Sequence, residues 1–169
     1  NSHSLTVKTG TGDISFDKTI GGTDSLNNII LDSTGAITFD EAVTAGSLRS
    51  EGSATVAING GSINTTGGDQ SYGGDITLGA DTTLTAKNLT AQGIALTNYN
   101  LTVDLAGSSS EIAGNITETS GGKTLTQQGS GTLTLSGNNS YTGATTIAGG
   151  TMILSNDNVT GMTASASFG

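Results

Sequence analysis

Gly12-Asp13-Ile14-Ser15-Phe16-Asp17-Lys18-Thr19-Ile20 and Gly35-Ala36-Ile37-Thr38-Phe39-Asp40-Glu41-Ala42-Val43 are two copies of one pattern, 23 residues apart. In each, a glycine precedes an alternation of Ile, a hydroxyl residue and Phe; polar residues and an aliphatic follow. Alternation with period two is the signature of a strand with one buried face. A repeat period of about 20–50 residues marks a repeat architecture, in which each unit buries its apolar face on the next. About 23 residues without a helix hold three short strands and glycine-bounded corners. The fold expected is therefore all-β, a right-handed parallel β-helix (β-solenoid) of about seven or eight turns, with residues 1–169 as one domain. Phe16 and Phe39 should stack one turn apart.

Strand-like runs continue along the chain: Leu5-Thr6-Val7, Ile29-Ile30-Leu31, Thr55-Val56-Ala57-Ile58, Asp75-Ile76-Thr77-Leu78, Thr83-Leu84-Thr85, Leu101-Thr102-Val103-Asp104-Leu105, Thr132-Leu133-Thr134-Leu135 and Met152-Ile153-Leu154. β-branched residues dominate them, and Gly, Asn, Asp or Ser bounds most of them. A looser form of the opening pattern recurs, anchored on Tyr72, Ile112 and Tyr141. From Phe39 onward the anchors are separated by 33, 40 and 29 residues. Such spacings require corner insertions or a weaker extra turn. An antiparallel sandwich is disfavoured, because Asn59-Gly60 is the single two-residue hairpin signal.

Composition agrees with a thin, elongated body. Leu, Ile, Val and Phe supply about a fifth of the residues, little for a globule. With a charged fraction of only 11%, self-repulsion is modest. Cysteine and proline are absent, which rules out disulfides and Cys-based metal sites. The net charge is −9, and Lys8, Lys18, Arg49, Lys87 and Lys123 are scattered, so no nucleic-acid partner is expected. No run approaches the length of a membrane span, and no membrane insertion is expected. The opening Asn1-Ser2-His3-Ser4 is unlike a signal peptide. The chain reads as an internal fragment whose targeting and anchoring parts lie elsewhere.

One stretch is more specific. Gly131-Thr132-Leu133-Thr134-Leu135-Ser136-Gly137-Asn138-Asn139-Ser140-Tyr141-Thr142-Gly143-Ala144-Thr145-Thr146-Ile147-Ala148-Gly149-Gly150-Thr151-Met152-Ile153-Leu154 resembles the autotransporter-associated β-strand repeat. That family runs Gly-Thr-Leu-x-Leu-x-Gly, then Asn-x-Tyr-Thr-Gly, then Thr-x-Ile or Val, then Gly-Thr-Leu-x-Leu. Met152 stands where Leu is usual, a volume-conserving exchange. The resemblance covers residues 131–154. It implies a passenger of an autotransporter or a large filamentous exoprotein, extracellular and displayed on the bacterial surface. It also implies an outer-membrane β-barrel translocator as partner, outside this chain. A further implication is that such a turn helps a passenger emerge and fold. In the repeat, Leu133 and Leu135 should lie against Met152 and Leu154. Tyr141 and Ile147 should face inward, with Gly137, Gly143 and Gly149 at corners of positive φ.

No catalytic, cofactor or metal residue is expected. His3 is the single histidine and has no evident catalytic partners. Asp40-Glu41 is the one adjacent carboxylate pair, and neighbours on a strand point to opposite faces. Gly21-Gly22-Thr23-Asp24, Gly67-Gly68-Asp69 and Gly73-Gly74-Asp75 lack the full calcium-solenoid motif. The six Asn-x-Ser/Thr triplets, against about four expected by chance from this composition, are not evidence for glycosylation. The Thr-x-Thr pairs at Thr83/Thr85, Thr124/Thr126 and Thr132/Thr134 are irregularly spaced, which argues against one ice-ordering lattice. The aromatic anchors read as an interior stack, with an exposed glycan platform as the rival. The function expected is structural: a surface stalk or adhesin segment serving adhesion or biofilm. The alternative is a module on the same scaffold that binds a carbohydrate or a host receptor. Its exposed loop or groove is expected in the irregular stretch 106–123.

Overall fold

The computed structural model describes residues 3–65, 67–156 and 163–166. Every strand pairing among them is parallel. No helix occurs among these residues. The strands stack as a parallel β-solenoid of about seven turns.

The chain opens with β1 (Leu5–Gly10) and β2 (Ile14–Phe16), then β3 (Leu26–Ser33) and β4 (Ile37–Phe39), then β5 (Val43–Glu51) and β6 (Val56–Ile58). The next three turns each have three separate strands. These are β7 (Ser62–Thr65), β8 (Gln70–Tyr72) and β9 (Ile76–Leu78); then β10 (Thr82–Ala86), β11 (Leu89–Ala91) and β12 (Ile94–Ala95). They continue with β13 (Leu101–Leu105), β14 (Ser110–Ile112) and β15 (Ile116–Thr117). The last are β16 (Leu125–Gly129), β17 (Thr132–Leu135), β18 (Ala144–Ile147), β19 (Thr151–Leu154) and β20 (Thr163–Ala166).

Three faces result. The first runs β5-β7-β10-β13-β16-β18-β20 and the second β5-β8-β11-β14-β17-β19. The long β5 joins both, pairing with β7 through Val43–Ala45 and with β8 through Leu48–Ser50. The third face is the sheet β2-β4-β6-β9-β12-β15. Turn length varies: Ile76 lies under Ile94, whereas Leu101 lies under Leu125. Corners absorb the difference, because a strand must keep register to keep its side chains on one face.

The core is a set of columns, each side chain resting on its counterpart one turn away. Phe16 pairs with Phe39, and their rings stack with centroids 5.5 Å apart and planes 7° from parallel. The column continues through Ile58 and Leu78, not through Tyr72. Tyr72 and Ile112 belong to the second face, where Tyr72 lies over Ser50 and Ile112 lies between Ala91 and Leu135. The looser sequence pattern had aligned residues of different faces, because glycine-bounded strands of similar composition occur three times per turn. Tyr72 is fully buried, and small Ser50 beneath it leaves room for the ring.

The spacings of 33, 40 and 29 residues therefore reflect a change of face together with whole turns. The stretch 106–123 is no excursion either. It contains β14 and β15, both in register with the turn below, and a corner over residues 118–124.

The threonines also differ from the sequence reading. Ser62, Thr83, Thr102, Thr126 and Thr146 form one outward column on the first face despite unequal spacing along the chain. The neighbouring column, Asn64-Thr85-Asp104-Gln128, is mixed. A single ladder of hydroxyls is not a two-dimensional lattice.

Candidate functional site

The most specific stretch of sequence, residues 131–154, lies where the stack approaches the C-terminal end of the described chain. Its two Gly-Thr strands, β17 and β19, are adjacent rungs of the second face: Leu133 pairs with Met152 and Leu135 with Leu154. Leu133 and Leu135 are buried, and Met152 is partly covered by the core. Leu154 and Ile153 are the exposed large hydrophobics among the described residues, at 45% and 46%. Among the described residues the column of Leu135 ends on Leu154. Ile147 is half-buried in the first face, paired with buried Gln127.

Between β17 and β18 the chain crosses the third face without forming a strand, and the Asn-x-Tyr-Thr-Gly element takes its place. In lower turns the first amide of each third-face strand donates to a main-chain carbonyl: Val56 to Asp75, Ile76 to Gly93 and Ile94 to Asn115, at 2.9–3.0 Å. At the next rung Ile116 N–H donates instead to the side-chain Oδ1 of Asn139, at 2.8 Å. Asn139 is buried and its amide stands in for a peptide group. Ser140 N–H then donates to the Ile116 carbonyl at 2.9 Å. Tyr141 fills the interior at 1% exposure, with its hydroxyl bonded to that of buried Thr145. Burial pushes the Tyr141 phenol up, against the smaller opposing effect of the Thr145 bond.

Thr142 locks this corner to the turn below. Its amide and its hydroxyl both donate to Glu118 Oε1, at 2.7 and 2.6 Å, and it accepts from Gly122 N–H at 2.9 Å. The other Glu118 oxygen accepts from Lys123 N–H at 2.8 Å. Desolvation alone would raise the Glu118 carboxyl. The bonds from the Thr142 hydroxyl and from the Lys123 and Thr142 amides outweigh it and hold the group below its ordinary range. A depressed carboxyl stabilises the fold above its unfolded pKa. That contribution is lost as pH falls through the folded value.

Gly137, Gly143 and Gly149 are needed for a reason other than positive φ, which none of them has. A Cβ on Gly143 would lie 2.3 Å from the Lys123 carbonyl oxygen, and one on Gly137 would lie 2.1 Å from that of Gly114. Close approach of consecutive turns, not left-handed backbone, excludes a side chain there. Positive φ belongs to Gly129 and Gly150.

A second polar device lies inside the solenoid. Gln127, fully buried, donates through Nε2 to the carbonyls of Gly131 and Thr151, at 3.0 and 2.9 Å. Gln70 does the same for Ile63 and Thr85, both at 2.9 Å, and accepts from the Tyr72 hydroxyl. Each amide ties its own turn to the next at the corner between the first two faces. Desolvation drives the Tyr72 phenol far above its ordinary range.

Carboxylates are used similarly. Asp13, Asp69, Asp75 and Asp81 accept from Ala36, Asn88, Gly93 and Asn100 of the following turn. Among the described residues, no group of three or more His, Cys, Asp or Glu is placed to hold a metal ion.

Sequence reasoning singled out the apolar residues and glycines of this site, and Asn139 and Thr142 by their order in the motif, but not the partners of those two, nor Glu118 or the two glutamines. Gln127 carried a signal, since it occupies an inward phase of an alternating strand. Glu118 carried none, because its partner Thr142 is 24 residues away.

Residues 125–154 match the family model described as passenger-associated-transport-repeat. No curated protein matches the chain, and neither does any solved structure. The described chain is thus a parallel β-solenoid with one stretch, residues 125–154, that is similar to the passenger-associated transport repeat. Both features fit an autotransporter passenger; such a repeat and such a fold are typically structural, and the repeat implies a secreted or surface protein.

Proposed function

We propose that this chain is a structural stalk segment of a bacterial passenger, held at the cell surface and serving adhesion or biofilm formation. The observation that supports this reading is continuity. The matched repeat continues the register of the turns below it, Leu101 over to Leu125 and on to Thr145, so the transport element and the rod are one body. A rod that grows by adding turns folds locally, which suits a chain emerging through a narrow pore. The partner this requires is an outer-membrane β-barrel translocator. The carboxylates bonded between turns act as structural ties, in keeping with a non-enzymatic role.

The test is a fusion of residues 1–169 to such a translocator, expressed in bacteria. On intact cells the fused chain should be open to added protease, and the cells should adhere to a surface more than cells carrying the barrel alone. A chain that is cleaved only after the outer membrane is breached would sink the display reading. Display without any gain in adherence would sink the adhesive role.

A further inference from the structure

The third face carries a gap in its outward side chains. Two outward columns run up it in register, Thr55-Asp75-Gly93-Asn115 at the corner and Ala57-Thr77-Ala95-Thr117 on the strands. At the rung of β12 both columns lose their side chains together, one to Gly93 and one to the methyl of Ala95. The rung of Ala57 is different, because Thr55 occupies its corner position. The result is a slot of about 380 Å³ lined by Thr55, Asp75, Thr77, Ala95, Asn115 and Thr117. Its walls stand two rungs apart, about 10 Å between backbones. Its floor is the Ala95 methyl and the Gly93 main chain, which the Asp75 carboxylate partly covers, over buried Ile94.

The walls are polar and partly uncommitted. One Asp75 oxygen accepts from Gly93 N–H at 2.8 Å, which folds the carboxylate over the Gly93 main chain; its second oxygen has no partner among the described residues. Asn115 Oδ1 accepts from Asn138 N–H of the next turn at 2.8 Å, and its NH2 makes no side-chain bond within the described residues. The Thr77 and Thr117 hydroxyls make no side-chain bond within the described residues, and the two residues flank Ala95 one rung to either side. An acceptor carboxylate, a donor amide and two hydroxyls on opposite walls match the alternating donors and acceptors of vicinal hydroxyls. No cationic side chain lines the slot, so an anionic ligand has no counter-charge and meets Asp75.

We propose that this slot is a binding site for a neutral saccharide, which inserts one ring edge between the Asp75/Thr77 and Asn115/Thr117 walls. The site is shallow and has no aromatic platform, so a single ring should bind with a Kd of about 1 mM. Binding gains strength from multivalent display along a cell surface. The proposal goes beyond the stalk reading and does not depend on it, because its test uses the soluble chain.

The test is a backbone-amide NMR titration with glucose, galactose, mannose and N-acetylglucosamine, each alone, with glucuronate as the anionic counterpart. At least one neutral sugar should shift the amides of residues 75–77, 93–95 and 115–117, and glucuronate should not. Ala95→Leu points its larger side chain into the slot and not into the core. It should abolish those shifts while leaving the remaining amide pattern in place. Thr77→Val with Thr117→Val keeps the volume and removes both hydroxyls, and should weaken binding at least fivefold should the leucine variant fold poorly. The proposal is overturned if no neutral sugar moves these amides, if glucuronate binds as well, or if the shifts survive both changes.

Discussion

Asn139 does work that no other side chain in the third face does, supplying through its own amide the acceptor that main chain supplies in the turns below. Asn139→Ala leaves the buried Ile116 N–H without that partner. The expected cost is about 1–3 kcal/mol in a denaturant titration, with the m-value unchanged. A change below about 0.5 kcal/mol would mean that water or a local shift replaces the bond. At this scale the sequence was informative about residue types and silent about their partners. The Asn, Tyr, Thr and Gly of the element could be singled out by order alone. Their use could not, because the groups they bind, Ile116 N–H and Glu118, lie in the preceding turn.

The rungs are the next scale, and Phe39 is the clearest case. It lies between Phe16 and Ile58, and is fully buried, whereas Phe16 is only partly buried. Phe39→Ala should therefore cost about 3–5 kcal/mol in a denaturant titration, with a smaller loss for Phe16→Ala. Equal and small effects would show that the column is not a packed core. Strand positions were legible from period-two alternation, since a narrow solenoid buries every second residue. Face assignment was not. Three strands of similar composition occur in each turn, so Tyr72 and Ile112 could be matched to Phe39 although they pack on another face.

The whole molecule is a stack in which each turn touches only its neighbours, so its stability is a sum of turns and of the interfaces between them. The matched repeat contributes a turn held by several ties: Gln127 inside, Asn139 in the third face and Glu118–Thr142 at the corner. A well-tied end can act as the edge on which looser turns add during export. Deleting residues 131–154 from the translocator fusion should then lower surface display, read as protease accessibility on intact cells, while the barrel inserts as before. Unchanged display would reduce the repeat to one more rung.

Period, composition and one ordered motif were enough, without coordinates, to determine an all-β, parallel, repetitive stack and the pairing of Phe16 with Phe39. The reason is that these properties are local: alternation marks a strand, and a fixed repeat marks a turn. Turn length was decided only by the tertiary structure, because corners absorb insertions that the chain spacing displays as irregularity. So were the register of the threonine ladder and the slot over Gly93 and Ala95. Each depends on which residues 18 to 24 positions apart come to lie one rung above another. That alignment is set by the summed packing and hydrogen bonding of all three faces at once, and no single segment carries it.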